Sequence, residues 1–410
     1  MANETLTARC CVVGGGPAGM MAGFLLARAG VDVIVLEKHA DFFRDFRGDT
    51  IHPSTLNVLN ELGLLQRFLQ VPHSEARELS ARFGSTAVPI ADFSHVPGPC
   101  KFIGFMPQWD FLNFIAAEAK TYPNFRLEME AEVTDLAGSG GAVTGVRAVR
   151  PEGGRLTVEA DLVIAADGRT SVLRDRAGLR ARDLGAPIDV LWMRLSRKPD
   201  DPSQALGSAG AGALLILIDR NDYFQCGFVI AKGGYAALKA RGLPDFRAQI
   251  LSLAPFLGER VDELQDWDQI KLLSVALNRL DKWYVPHLLC IGDAAHAMSP
   301  IGGVGINLAI QDAVAAANIL SIPLARGPVP VELLAEVQSR RELAVKLVQG
   351  IQSFIQRNFV SSLLSSHQAI PVPPLVRLLG AVPYLRRIPA YLIGIGFRPE
   401  NVRSPSKEAG

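Results

Sequence analysis

Cysteine is scarce: five residues at 10, 11, 100, 226 and 290, an odd number with no C-x-x-C spacing. They build neither a disulfide framework nor a cysteine metal centre, so no metal site and a reducing, cytoplasmic setting are expected. Excess charge is missing as well, since 42 Lys+Arg face 41 Asp+Glu and leave +1. No global field recruits nucleic acid. No run of 18 residues is free of both charge and proline, so no transmembrane segment is expected, although mean hydropathy is high at +0.20. The polar opening MANETLTARC does not read as a signal peptide. Apolar residues, by contrast, reach 49%, which allows a large core and excludes whole-chain disorder. Glycine is also abundant, and its clusters carry the chemistry.

Cys10-Cys11-Val12-Val13 reads as a buried strand, followed by Gly14-Gly15-Gly16-Pro17-Ala18-Gly19 and an Ala/Leu-rich helix over residues 17 to 29 that Gly30 ends. A second strand, 31 to 36, runs into Glu37. In the frame Gly14-x-Gly16-x-x-Gly19, the first glycine permits the turn. The second lets backbone approach a pyrophosphate, and the third lets helix and strand pack closely. The helix start, with Pro17 and Ala18, offers N–H groups to phosphates. Glu37, with Lys38 beside it, lies where an acid accepts from a ribose hydroxyl. Strand, loop, helix, strand and acid together indicate a dinucleotide site, for FAD or NAD.

Two further segments repeat the strand-then-turn pattern. Leu162 to Ala166 leads into Asp167-Gly168-Arg169, and Leu288 to Ile291 leads into Gly292-Asp293-Ala294-Ala295-His296. The latter continues through Pro300 and Gly302-Gly303-Val304-Gly305-Ile306-Asn307 into a helix. On these three motifs the chain resembles the group A flavoprotein monooxygenases, the p-hydroxybenzoate hydroxylase-like family, over roughly residues 8 to 345.

That resemblance implies an α/β fold. A Rossmann-like FAD-binding domain (1–73, 100–180 and 281–345) would interleave with an antiparallel-sheet substrate domain (74–99 and 181–280). C-terminal helices and a loose tail would fill 346–410. It implies FAD as cofactor, NADH or NADPH as reductant docking without a domain of its own, and O2 as co-substrate. The reaction would be hydroxylation of a small aromatic, hydrophobic or polyketide-like molecule through a flavin C4a-hydroperoxide, with no acid–base dyad needed in the sequence. A homodimer is among the expected assemblies. The alternative is a related-fold epoxidase or isoprenoid reductase acting on a long apolar substrate. The halogenase segment W-x-W-x-I-P is absent at Trp267-Asp268-Gln269-Ile270.

The resemblance also assigns roles. Asp293 would accept from the ribityl chain, and backbone N–H groups of Gly303, Gly305, Ile306 and Asn307 would face the flavin pyrimidine edge. Asp167 would support FAD, against the alternative of a helix cap. Arg47, in Arg47-Gly48 before the helix that Pro53 opens, would approach the FAD phosphates, as would the weaker Gln108. Pro300 would sit beside the flavin ring. His52, near the proposed FAD loop, is a candidate proton carrier or a polar helix start. His296 reads as shaping its turn. Strands at 190–195, 213–219, 223–230 and 271–280, with a loop at 207–212, would form the substrate sheet. Arg220, Arg194, Tyr223 and Arg279 are pocket candidates on it, while Leu215, Leu217, Phe224 and Phe228 read as core.

Overall fold

The computed structural model describes residues 3–43, 50–84, 86–138, 142–202, 206–210, 212–366 and 371–407. Five parallel strands form the body of an eight-stranded first sheet: β1 (Asn3–Val13), β2 (Val33–Leu36), β3 (Phe125–Glu128), β4 (Arg155–Ala165) and β5 (Leu288–Cys290), in the spatial order β5-β4-β1-β2-β3, with Glu132–Ala137, Gly145–Val149 and Tyr284–Val285 added antiparallel. The central strands are continuous apolar runs at their C-terminal ends because both faces are covered. Helix α1 (Pro17–Arg28) packs on this sheet with proline at its first turn, and Gly30 follows it at φ +83°. Strand β1 is longer than the sequence indicated, since β4 pairs with it from Asn3↔Arg155 to Val13↔Ala165.

A second sheet has seven strands, in the order Lys271–Leu273, Ile188–Ser196, Tyr223–Ala231, Ala213–Asp219, Leu206–Gly210, Glu78–Phe83 and Thr86–Asp92. Three expectations need correction here. The Gly/Ala/Ser stretch at 207–212 is largely strand, and it pairs parallel to Glu78–Phe83 within an otherwise mostly antiparallel sheet. Small residues fit a crowded strand as well as a loop, so composition misled. Residues 271–280 are two strands, and Asn278–Leu280 leaves the sheet to pair with Ala181–Asp183. Arg279 goes with it and donates to Gln349 Oε1 at 2.8 Å.

Helices complete the chain: α2 (Pro53–Glu61), α3 (Gly305–Leu324), α4 (Val331–Ile355), α5 (Pro374–Ala381) and α6 (Arg387–Gly394). α4 runs straight across residues 345 and 346, where the cap was expected to begin. The stretch Ile301–Leu324 is long and apolar enough to cross a membrane, but 72% of its apolar window is buried in the protein, as for a core helix. The expected loose tail is docked as far as residue 407. Val402 N donates to Glu61 Oε2 at 2.7 Å, Ser404 N to Asn318 Oδ1 at 2.9 Å, and Lys407 N to the Arg28 carbonyl at 2.8 Å. All five cysteines are buried and unpaired, and burial raises their thiol pKa values.

Candidate functional site

β1, β2, β4 and β5 release their chains at one edge of the first sheet. The loops they release are Gly14–Gly19, Glu37–Lys38, Asp167–Arg169 and Gly292–Asp293. Ligands bind at this carboxyl edge in open α/β sheets.

The glycine loop has one open position between two closed ones. A Cβ on Gly14 would lie 2.3 Å from the Ala166 carbonyl oxygen, and one on Gly19 would lie 1.9 Å from that of Gly14. A Cβ on Gly16, the residue that caps α1, would meet nothing within 4 Å among the described residues. The backbone there faces open space at a helix start, which suits a pyrophosphate. Pro17 is half-buried and Ala18 buried. Glu37 is buried at the end of β2. Its Oε2 accepts from Gly15 N at 2.9 Å and its Oε1 from His39 N at 3.1 Å, so it also fixes the loop. Lys38 is exposed.

Asp167 accepts from Leu173 N at 3.2 Å through Oδ2. Its Oδ1 is buried without a hydrogen-bond partner among the described residues, and burial raises the carboxyl pKa. One oxygen therefore caps the helix Val172–Arg176 and the other remains an acceptor. Asp293 pairs with Arg169 at 3.3 Å, both about one-third exposed. The turn behind Asp293 is tied down from the interior. Asp312, fully buried on α3, accepts from Gly292 N at 3.1 Å, His296 Nε2 at 2.5 Å and Arg341 Nε at 3.0 Å. His296 is thus a structural member of this turn.

Pro300 caps a single turn, Ile301–Gly303, and Gly305 opens α3 with Ile306 buried. The side chain of Asn307 connects this loop to α2. Its Oδ1 accepts from His52 N at 3.0 Å and Thr55 Oγ1 at 2.7 Å, and its Nδ2 donates to the carbonyls of Thr50 and Gly303 at 3.3 and 3.4 Å. Motif spacing pointed only to the backbone of Asn307. His52 is fully buried, with Nδ1 2.7 Å from the Ile393 carbonyl. Burial outweighs that contact and lowers its pKa to about 4. It is a neutral anchor for the C-terminal segment. Gln108 opens the helix Gln108–Ala119 and is half-buried. Arg47 lies outside the described residues.

On the second sheet, Leu215, Leu217, Phe224 and Phe228 face a core shared with Phe246 and Leu253. The opposite face carries a row in direct register: Trp192, Gly227, Ile216, Gly207 and Ala81. A Cβ on Gly227 would lie 2.9 Å from the Trp192 ring, so the indole lies across that glycine. A Cβ on Gly207 would meet nothing within 4 Å. Along Ala213–Asp219, Leu215 and Leu217 are buried while Leu214 and Ile216 on the other face are half-buried, with Ile218 beyond them buried. Trp192 and Ile216 pack against two apolar clusters, one with Ile301 beside Pro300 and one with Phe105. Trp192 Nε1 is buried without an acceptor among the described residues. Sequence reading missed Trp192; alternation along 188–196 placed it opposite Leu191 and Met193 and was the available signal. Arg220 is buried and donates to Gln225 Oε1 through Nε and Nη2 at 3.2 and 2.9 Å. Arg194 is exposed, paired with Asp222 and stacked 3.9 Å from the Tyr223 ring centroid.

A family model described as "FAD binding domain" matches residues 7–350. The 6-methylpretetramide 4-monooxygenase of Streptomyces rimosus is 32% identical over 409 residues, spanning 98% of this chain and 95% of that relative. The protoasukamycin 4-monooxygenase of Streptomyces nodosus subsp. asukaensis is 26% identical, spanning 84% of this chain and 87% of that one. Among solved structures, PqsL of Pseudomonas aeruginosa, a probable FAD-dependent monooxygenase, matches with a TM-score of 0.72 at 22% identity. It covers 88% of this chain and 97% of PqsL, and the likeness is one of fold.

Proposed function

The chain belongs to the FAD-binding family of group A flavoprotein monooxygenases, and on that premise we propose that it places one oxygen atom of O2 on a flat, polyketide-like aromatic, spending NADH or NADPH in the cytoplasm. The observation that carries this reading is the convergence of the four loops on one sheet edge, with Gly16 open and one oxygen of Asp167 without a partner among the described residues. The residues present fit FAD. The loop from Gly14 to Gly19 and the start of α1 would hold the pyrophosphate, with Arg47 and Gln108 as further phosphate-side candidates. Glu37 would meet the adenosine ribose, and Asp167 and Asp293 the remaining hydroxyls. Backbone N–H groups from Gly303 to Asn307 would face the flavin. When bound, FAD supplies the redox chemistry, taking hydride from the nicotinamide and activating O2.

The chain's own residues orient the substrate and exclude water. Residues 74–99 and 181–280 are taken as the substrate-binding part, and the rest, with its C-terminal helices, as the FAD side. The row from Trp192 to Ala81 would receive a flat ring system against Ile216, with Trp192 Nε1 donating to a ring oxygen. Pro300 and Ile301 would close a cleft opposite. Arg220, held on Gln225, would stand at its polar end. The test is incubation of the purified yellow protein with NAD(P)H, O2 and a panel of polycyclic phenols. Stimulated coenzyme oxidation with a product heavier by one oxygen is expected. Coenzyme consumption without oxygen gain across the panel would refute the hydroxylase reading.

A further inference from the structure

The C-terminal helices carry a surface that the reaction does not use. Among the described residues fifteen large apolar side chains are exposed, and six of them fall between 375 and 391: Leu375, Leu378, Val382, Tyr384, Ile388 and Tyr391. Leu375 and Leu378 follow i, i+3 spacing on α5 with Val382 just past its end, and Tyr384, Ile388 and Tyr391 follow i, i+4, i+7 on α6 and the turn before it. Each helix therefore presents one apolar stripe outward. Ile388 and Leu375 are both 57% exposed and Tyr384 67%.

Charge identifies what covers this surface. Residues 343–399 contain no Asp or Glu, but they contain Lys346, Arg357, Arg377, Arg386, Arg387 and Arg398. The other 36 basic residues face all 41 acidic ones, so a nearly neutral chain hides a strongly segregated one. Beside the stripes, Arg387 stacks 4.5 Å from the Tyr384 ring centroid and lies 2.8 Å from His95 Nε2. These residues line a groove of about 370 Å³ with Asp92, whose carboxylate turns to Ser94 N at 2.9 Å. Apolar stripes flanked by arginines and tyrosines are the composition of helices lying in a lipid interface. A second copy is disfavoured as the occupant. Face-to-face pairing would set Arg377, Arg386 and Arg387 against their counterparts, with Asp92 the one acid lining the groove to offset them.

We propose that the α5–α6 surface docks the enzyme reversibly on an anionic phospholipid membrane, with the apolar stripes in the interface and the arginines against lipid phosphates. The test is flotation of the full-length holoenzyme with phosphatidylcholine vesicles, either pure or containing about one-third phosphatidylglycerol. Binding to the anionic vesicles only, weakened by salt, is expected. Leu375→Glu and Ile388→Glu, singly and together, should weaken that binding about tenfold or more while FAD content and melting temperature stay unchanged. Failure of the wild type to float, or equal flotation of the variants, overturns the proposal. So does a dimer in sedimentation velocity that Ile388→Glu dissolves, which would give the surface to a second copy. None of these readouts depends on the substrate.

Discussion

Replacement of Asp312 by alanine probes the support beneath the cofactor side of the site. Three donors converge on this fully buried carboxylate: Gly292 N, His296 Nε2 and Arg341 Nε. Arg341 is only 1% exposed. After the change its guanidinium would keep the Arg398 carbonyl at 3.0 Å and Glu400 at 3.8 Å, both on the C-terminal segment. Leaving a buried ion without its main partner costs about 3–5 kcal/mol, which at the unfolding entropy of a 410-residue chain lowers the melting temperature by about 4–6 °C. Asp312→Asn keeps an acceptor and should cost less, about 1.5–3 kcal/mol. Burial by itself would raise the Asp312 carboxyl pKa; the charges of His296 and Arg341 outweigh it and hold it below the usual value. A folded value below the unfolded one stabilises at pH above the unfolded value of about 4, and that contribution fades as pH falls from there through the lower folded value. The gap between wild type and Asp312→Asn should therefore be full at pH 7 and narrow below about pH 5. Calorimetry at both pH values, with and without added FAD, measures it. Freeing Gly292 N also loosens the turn carrying Asp293, so FAD affinity should fall. An alanine variant that melts with the wild type, or a gap that widens in acid, refutes the reasoning.

Gly16→Val should leave the melting temperature of the FAD-free protein unchanged and cut FAD affinity at least about tenfold, because the protein offers its new atoms no clash. Gly19→Ala, whose Cβ would lie 1.9 Å from the Gly14 carbonyl oxygen, should instead destabilise the fold itself. Equal stability of the two FAD-free variants would contradict this. Trp192→Phe keeps a ring and removes a donor, so a hydroxyanthraquinone should bind roughly fivefold more weakly, about 1 kcal/mol, while unsubstituted anthracene is unaffected. Quenching titrations that show equal losses for both would remove the hydrogen bond from the account. The His52 pKa is lowered to about 4 from 6.5. Protonation therefore favours unfolding, and stability is lost as pH falls from about 6.5 toward 4, by up to about 3 kcal/mol. His52→Gln should flatten that slope in melting curves recorded across the range.

The cofactor side was legible because its constraints are local. Gly14, Gly16, Gly19 and Glu37 lie within one strand–helix–strand unit, and Asp167 and Asp293 each follow a recognisable apolar strand. What escaped depends on partners distant in sequence. Trp192 matters only through its register with Gly227 and Ile216, which no local pattern specifies. Asn307 was read only through its backbone, and the work of its side chain depends on Thr50, His52 and Thr55, some 250 residues earlier. The break between Leu273 and Asn278 arises because the second half finds a different partner strand. The tail from 401 looked loose because its polar groups satisfy other segments, with the Asn401 carbonyl accepting from Asn318 Nδ2 at 2.8 Å.

The docked segment 398–407 bears on how the molecule folds. Arg28, closing α1, donates to the Ser404 carbonyl 376 residues away, and β1 pairs along its whole length with β4. Beyond the local pairing of β1 with β2, the first helix and strand thus acquire their remaining partners through contacts of very large sequence separation. Such contacts slow folding more than they alter stability. β1 and α1 would pass through a phase in which apolar surface is formed but uncovered, the condition under which larger chains aggregate. The interleaving that builds the site from four separated loops therefore makes folding commit late, and no single cut in the chain would isolate a self-sufficient half.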